Sequence, residues 1–227
     1  MPWGRVGSNL IMNIVAQSGP VKLANETFNT IKGEAEQLAW YREHYEFGAD
    51  APSRPLIGCK QNVLSITNPA GLGAVMLRDC VKVVRMRRDN LVKVAVSQIR
   101  GRIYADEARE RIGRPKWALH KNDTPLGPVF VDPALLDTRL KAAERAHTAL
   151  MRMFRPEAVL DIEYDQINTD LAAVVERLRP WLGLEHTPGF RVPYKKATPD
   201  NLRAAVTNFD ELSAALAGTP YAAMLTS

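Results

Sequence analysis

Val81-Lys-Val-Val-Arg-Met-Arg-Arg-Asp-Asn-Leu-Val-Lys-Val-Ala-Val-Ser-Gln-Ile-Arg-Gly-Arg102 decides the fold class. Its first six residues are valine-rich and read as a buried strand. Asp89 or Asn90 is placed to cap a helix whose apolar spacing runs through Leu91, Val94, Ala95 and Ile99. Arg87 and Arg88 therefore stand where a strand ends and a helix begins. In an open α/β sheet that edge binds ligands. Ser97 lies about two turns into the helix, a hydroxyl in an otherwise apolar stripe. Read alone, the arginines serve equally as a solvated pair, and the serine as a hydroxyl bonded to its own backbone.

Outward from this run, strands and helices alternate. Residues 10–17 read as a helix stopped by Ser18-Gly19-Pro20, and Val21–Asn25 as a short strand. A charged, aromatic helix over 34–47 and a proline-rich loop over 49–55 come next. A strand over 56–63 follows, then a helix over 69–80 with Pro69 in its first turn. The helix after Asn90 continues towards Arg111. Residues 113–133, with Pro115, Pro125, Pro128 and Pro133, have little periodicity. Within the wider 106–133 stretch they read as a lid or an acceptor-binding insertion, because a core-forming helix over 133–154 comes after them. A last strand over 159–164 and a helix at Leu171–Leu182 complete the pattern. Such alternation predicts a single α/β domain, a three-layer sandwich with a central parallel sheet.

Composition narrows the partners. At 227 residues and 46% hydrophobic content, the chain suffices for one full core. Its net charge of +5 suits a multiply anionic ligand. Nucleic acid fits less well, because aromatics make up 7% and no basic run exceeds three residues. Cys59 and Cys80 form no disulfide framework, and four scattered histidines give no metal-ligand spacing. No apolar run reaches membrane-span length and no signal-peptide core opens the chain, so a cytoplasmic protein without stable membrane insertion is expected.

The second informative stretch is Arg5-Val6-Gly7-Ser8-Asn9, a glycine loop running into an apolar helix. Such a turn aims backbone N–H groups and the positive end of a helix at one point, an anion cradle. Arg5 adds charge and Ser8 a hydroxyl. No lysine follows Gly7, so the triphosphatase loop pattern is not met. An ordinary loop with an N-cap would read the same way. Only Met1 to Trp3 stand before the loop, where a central strand is expected, so either the native chain is longer or that strand is a stub.

Together the two stretches resemble the sulfotransferase family whose donor is 3′-phosphoadenosine-5′-phosphosulfate, and within it the bacterial and carbohydrate branch that includes trehalose 2-sulfotransferase. Arg5 to Asn9 match its phosphosulfate loop, and Arg87 or Arg88 with Ser97 its 3′-phosphate pair. The arginine-to-serine spacing is longer than the family's, which leaves the choice of arginine open. Val159-Leu-Asp-Ile-Glu-Tyr-Asp-Gln-Ile167 resembles the family's late strand. Pro193 to Arg203, Val206 to Leu212 and Leu216 to Tyr221 resemble its closing segment. Residues 106–131 are not covered.

The resemblance implies sulfuryl transfer to a hydroxyl of a small-molecule, carbohydrate or glycolipid acceptor, with adenosine 3′,5′-bisphosphate as product and no metal. Glu26, in Asn-Glu-Thr-Phe-Asn, would be the base, with His44 and His120 as rivals. Arg5 would neutralise the 5′-phosphosulfate, helped by N–H groups of Gly7, Ser8 and Asn9. Lys60 would approach the acceptor or the sulfuryl group. Lys195, Lys196 and Thr198 would cover the nucleotide, and Trp117 and Tyr194 would stack on adenine or sugar. The alternatives are a kinase-like phosphotransferase and a catalytically degenerate nucleotide-binding module; a homodimer stays open.

Overall fold

The strand expected over 81–86 forms at Val83–Arg87, and the helix after it begins where the Asn90 cap places it. The computed structural model describes residues 6–19, 21–45, 56–184 and 189–226. The chain divides into two compact units, Met1–Arg87 with Ala146–Arg191, and Arg88–Arg145 with Val192–Ser227.

The first unit holds the four strands found among the described residues. Helix α1 (Ser8–Gln17) leads into β1 (Val21–Asn25), followed by α2 (Glu34–Tyr45), β2 (Leu56–Lys60), α3 (Pro69–Arg78) and β3 (Val83–Arg87). β1 pairs with β2 in parallel, Asn25 opposite Lys60. After the second unit's α4 (Leu91–Ile112) and along α5 (Pro133–Met153), the chain returns to β4 (Val159–Glu163), α6 (Tyr164–Thr169) and α7 (Leu171–Leu182). β4 pairs in parallel with β3, Arg85 opposite Asp161.

Strand alternation sorts the side chains onto two faces. Val84, Met86, Leu160 and Ile162, with Val21 and Leu23, pack against Ile11, Ile14 and Val15 of α1, Ile167 of α6 and Val174, Val175 and Leu178 of α7. Val83 and Val159 belong instead to a core with Phe28, Tyr41, Tyr45, Leu72, Met153 and Phe154. Each fully buried aliphatic side chain contributes about 2 kcal/mol. The molecule is thus α/β. Its described strands form two two-stranded parallel sheets rather than one continuous sheet. Apolar spacing reports which face is buried, not which strand is the hydrogen-bonded neighbour, so sequence pattern was silent on this point.

Other departures are local. The strand expected over 56–63 ends at Lys60, and Val63 belongs to a single 3₁₀ turn capped by the Asn62 side chain, which accepts from the Leu64 N–H at 3.0 Å. The helix expected to 47 is described to Tyr45, and the 49–55 loop lies outside the described residues. Helix α6 was not anticipated; a capping box between Glu163 and Gln166 starts it directly at the strand end.

In the second unit α4 begins at Asn90, whose Oδ1 accepts from the Lys93 N–H at 2.8 Å, and ends at Gly113 with φ 72°. The first residues of the expected 106–133 insertion are therefore helical. Val92, Ala95, Val96 and Ile99 pack on Val131, Leu136 and Leu140 of the following segment and on Leu202, Ala205 and Val206. Leu212 and Leu216 of α8 (Phe209–Leu216), a helix the pattern did not reveal, join this core. Among the described residues no helix is long and apolar enough to cross a membrane.

Gly73 tests the packing of the first unit. A Cβ there would sit 2.7 Å from the Met153 backbone oxygen, whereas one on Gly127 would meet nothing within 4 Å. Gly73→Ala is expected to cost about 2 kcal/mol in urea unfolding, against the roughly 1 kcal/mol that alanine's helix preference favours. Gly127→Ala should stay within about 0.5 kcal/mol of wild type.

Candidate functional site

The parallel register of β1 and β2 ends both strands at the same edge, and the next residue of β1's chain is Glu26. Its backbone N–H donates to the Lys60 carbonyl at 2.6 Å, extending the pairing by one step. Its backbone is left-handed, φ 51° and ψ 39°, one of two such non-glycine residues among those described. That conformation costs a residue with a side chain about 1 kcal/mol. The turn Thr27–Asn29 follows directly, with the Asn29 N–H donating to the Glu26 carbonyl at 3.0 Å.

Glu26 Oε1 lies 2.8 Å from Lys60 Nζ, and both side chains are about 15% exposed. Lys60 Nζ also donates to Asn9 Oδ1 at 2.7 Å. The other carboxylate oxygen, Oε2, accepts from Asn29 Nδ2 at 3.0 Å, and Asn29 Oδ1 in turn accepts from Ser65 Oγ at 2.5 Å. Five side chains from four separate segments thus form one chain of hydrogen bonds. Three of them, Asn9, Glu26 and Lys60, were singled out in the sequence. Asn29 and Ser65 were not; the only signal was an amide three residues after the candidate base.

Asn9 comes from the glycine loop. Gly7 precedes α1 in the left-handed region at φ 77°, and a Cβ there would lie 2.9 Å from Ile167 Cδ1. Only glycine fits. No side chain caps this helix, so Ser8 and Asn9 stand at a bare positive helix end. Val6 and Ser8 are half-buried. Arg5 lies outside the described residues. Cys59, beside Lys60, has its thiol pushed up by burial, partly offset by hydrogen bonds with Tyr45 and Gln61, so it is held protonated rather than as a thiolate nucleophile.

Arg87 and Arg88 fall in different units. Arg87 Nε is 3.6 Å from Asp161 Oδ1, and the buried Arg85 donates Nη2 to Asp161 Oδ2 at 2.7 Å. Asp161, set between apolar Leu160 and Ile162, is therefore the partner of two β3 arginines. Sequence reading missed it, although it stands opposite Arg85 on the face of β4 that also carries Glu163. Arg88 is buried in the second unit.

In that unit Ser97 and Thr198 are both buried, and Thr198 Oγ1 donates to Ser97 Oγ at 3.1 Å. The two residues chosen from distant stretches meet. One turn beyond Ser97, Arg100 is 2% exposed and has carbonyls around it: Nη1 donates to Gly127 at 2.8 Å and Ala205 at 2.6 Å, Nη2 to Leu126 at 2.8 Å. Burial pulls its pKa down. Lys195 Nζ donates to the Lys121 carbonyl at 3.1 Å, and Lys196 pairs with the Asp200 carboxylate. Tyr194 and His120 rings sit 5.1 Å apart across an isolated antiparallel bridge. His44 is exposed and stacks on Trp40 at 4.2 Å, with Nδ1 2.8 Å from the Trp40 carbonyl.

No protein-family model matches the chain, and no curated protein matches it. The geometry therefore stands on its own.

The half-buried ion pair at the strand edge is directly measurable. Glu26→Gln and Lys60→Met should each destabilise by about 1–2 kcal/mol, because each strands the other partner. The double variant should lose less than the sum, with a coupling of about 1 kcal/mol in a double-mutant cycle. Strict additivity would mean that solvent, not Lys60, satisfies Glu26.

Proposed function

We propose that the protein is a sulfotransferase, moving a sulfuryl group from 3′-phosphoadenosine-5′-phosphosulfate to a hydroxyl, with Glu26 as general base. One observation carries the reading: Asn9, Lys60 and Glu26, from a glycine loop and two strand ends, are hydrogen-bonded to one another. An anion cradle, a cation and a base in series are what in-line sulfuryl transfer requires. The reading carries with it a three-layer sandwich whose central layer is made of the two parallel pairs, β1–β2 and β3–β4, and helices against both faces of β3 and β4 support it.

The residues suit the donor's anionic groups. Gly7 leaves no Cβ in the loop, and Ser8 and Asn9 offer N–H groups at an uncapped helix end. In the reading these groups with Lys60, and Arg5 from the sequence, receive the 5′-phosphosulfate. The resemblance would give the 3′-phosphate to Ser97, which lies beside Thr198, with Arg87 or Arg88, and would give Lys195 and Lys196 to the nucleotide. When bound, the donor supplies the activated sulfuryl group.

As the molecule stands, both Glu26 oxygens are engaged, one by Lys60 and one by Asn29. For Glu26 to act, the Lys60 ammonium turns from the carboxylate towards the incoming anion. That frees Oε1 to take the acceptor's hydroxyl proton as the acceptor oxygen bonds to sulfur, while Asn29 keeps Oε2 oriented. The S–O bond to the 5′-phosphate breaks, and Lys60 neutralises the charge left on that phosphate. Lys60 is thus a switch between resting pair and catalytic cation.

Titration with adenosine 3′,5′-bisphosphate in EDTA, against ATP with magnesium, tests the reading. The bisphosphate is expected to bind without metal, and Ser97→Ala to weaken it about tenfold, the worth of a charge-assisted hydrogen bond. Glu26→Gln should keep that affinity and lower turnover by at least about a hundredfold. Binding of ATP with magnesium alone would favour a phosphotransferase, and binding of neither would leave no nucleotide enzyme at all.

A further inference from the structure

Two turns frame Glu26. The one after β1 carries Glu26, Phe28, Asn29 and Ile31, and the one after β2 carries Gln61, Ser65 and Thr67. Buried Gln37 of α2 stitches them together. Its Nε2 donates to the Ile31 and Ser65 carbonyls, each at 2.8 Å, and its Oε1 accepts from the Thr67 N–H at 2.9 Å. Gln61 Oε1 accepts from the Phe28 N–H at 3.1 Å, and Thr67 Oγ1 donates to the Lys32 carbonyl at 2.6 Å. The turns are therefore joined without help from the Asn29 amide or the Ser65 hydroxyl.

Those two groups make a separate line that ends on the carboxylate. A carboxylate accepts and does not donate, so Asn29 turns Nδ2 towards Glu26 Oε2, at 3.0 Å. Its Oδ1 then faces Ser65, whose Oγ donates to it at 2.5 Å. Both protons on this line point towards Glu26. Reversing the amide would set oxygen against oxygen at the carboxylate. Lys60, by contrast, has to leave Oε1 before that oxygen can take a proton. A carboxylate held by Lys60 alone would swing free as the ammonium turned away. Held on Oε2 by Asn29, it keeps Oε1 aimed where Nζ stood.

We propose that Ser65 is a positioning residue for the base. Through the Asn29 amide it keeps the Glu26 carboxylate in place once Lys60 has released it. The proposal rests on the sulfuryl-transfer reading and adds to it the residue, on the turn after β2, on which the aim of Glu26 depends. Small displacements of a reacting group are costly, on the order of a hundredfold in rate for about 1 Å.

The test follows release of adenosine 3′,5′-bisphosphate from 3′-phosphoadenosine-5′-phosphosulfate, with glycerol at high concentration as a simple hydroxyl acceptor. Ser65→Ala is expected to lower kcat about tenfold and to leave the donor KM within about twofold of wild type. Ser65→Thr keeps the hydroxyl and should restore most of the rate. Asn29→Ala should match Ser65→Ala, and the double variant should be no slower than either, because the two act as one unit. Asn29→Ala also supplies the comparison if Ser65→Ala does not fold. In spectra of protein labelled with nitrogen-15 asparagine, the Asn29 side-chain amide should stay protected from solvent exchange in Lys60→Met and lose protection in Ser65→Ala. An unchanged kcat in Ser65→Ala, no rescue by threonine, losses that multiply in the double variant, or an amide that Lys60→Met exposes overturns the proposal and leaves the transfer reading intact. A wild type no faster than Glu26→Gln sinks the transfer reading itself, and the positioning role of Ser65 with it.

Discussion

Lys60 is the interaction on which the site depends. One ammonium group joins the first turn of α1, through Asn9, to the carboxylate that follows β1, through Glu26. Every upstream feature serves that convergence. Gly7 lets the loop enter α1 closely packed on Ile167, the parallel register places Lys60 beside Asn25, and the left-handed turn at Glu26 redirects its side chain. A strained backbone and a desolvated ion pair are both unfavourable choices for stability alone. Their coincidence at a strand edge, where parallel α/β folds do their chemistry, is the physical argument for a reactive site.

The second unit solves a different problem. It must hold a long irregular loop in one shape, and it does so with carbonyl-directed bonds rather than with a strand. Arg100 is central to this. It reaches two loop carbonyls and one from the closing segment, so the order of that loop is tied to α4, the helix that also carries Ser97. The buried Ser97–Thr198 hydroxyl pair lies one turn from this anchor. The hydroxyl pair and the loop's anchor are therefore built on one helix.

Much of this was legible in the sequence, and the rest was not for definable reasons. Apolar periodicity gave β1 and α7 at their observed limits, because both bury one face against a core. The candidate residues Glu26, Lys60 and Asn9 were each chosen locally, yet their meeting depends on strand pairing, which local pattern does not encode. Ser65 and Asp161 were missed because their roles are defined by a partner far along the chain, and Asn29 because an amide near an acid is no signal until the turn at Glu26 brings the two together. Arg100 was missed because an arginine in a helix ordinarily faces solvent, and nothing in its neighbours announces a ring of carbonyls. The split of the strands into two sheets was likewise invisible, since burial and hydrogen-bond partnership are separate properties.

A crystal structure with adenosine 3′,5′-bisphosphate would test the central claim most directly. The account predicts the 5′-phosphate against the Gly7–Asn9 backbone, with Lys60 Nζ within hydrogen-bond reach of it and drawn away from Glu26, while Asn29 stays on Oε2. A bisphosphate bound elsewhere, or a saturated complex in which Lys60 still rests on Glu26 and Asn9, would contradict it.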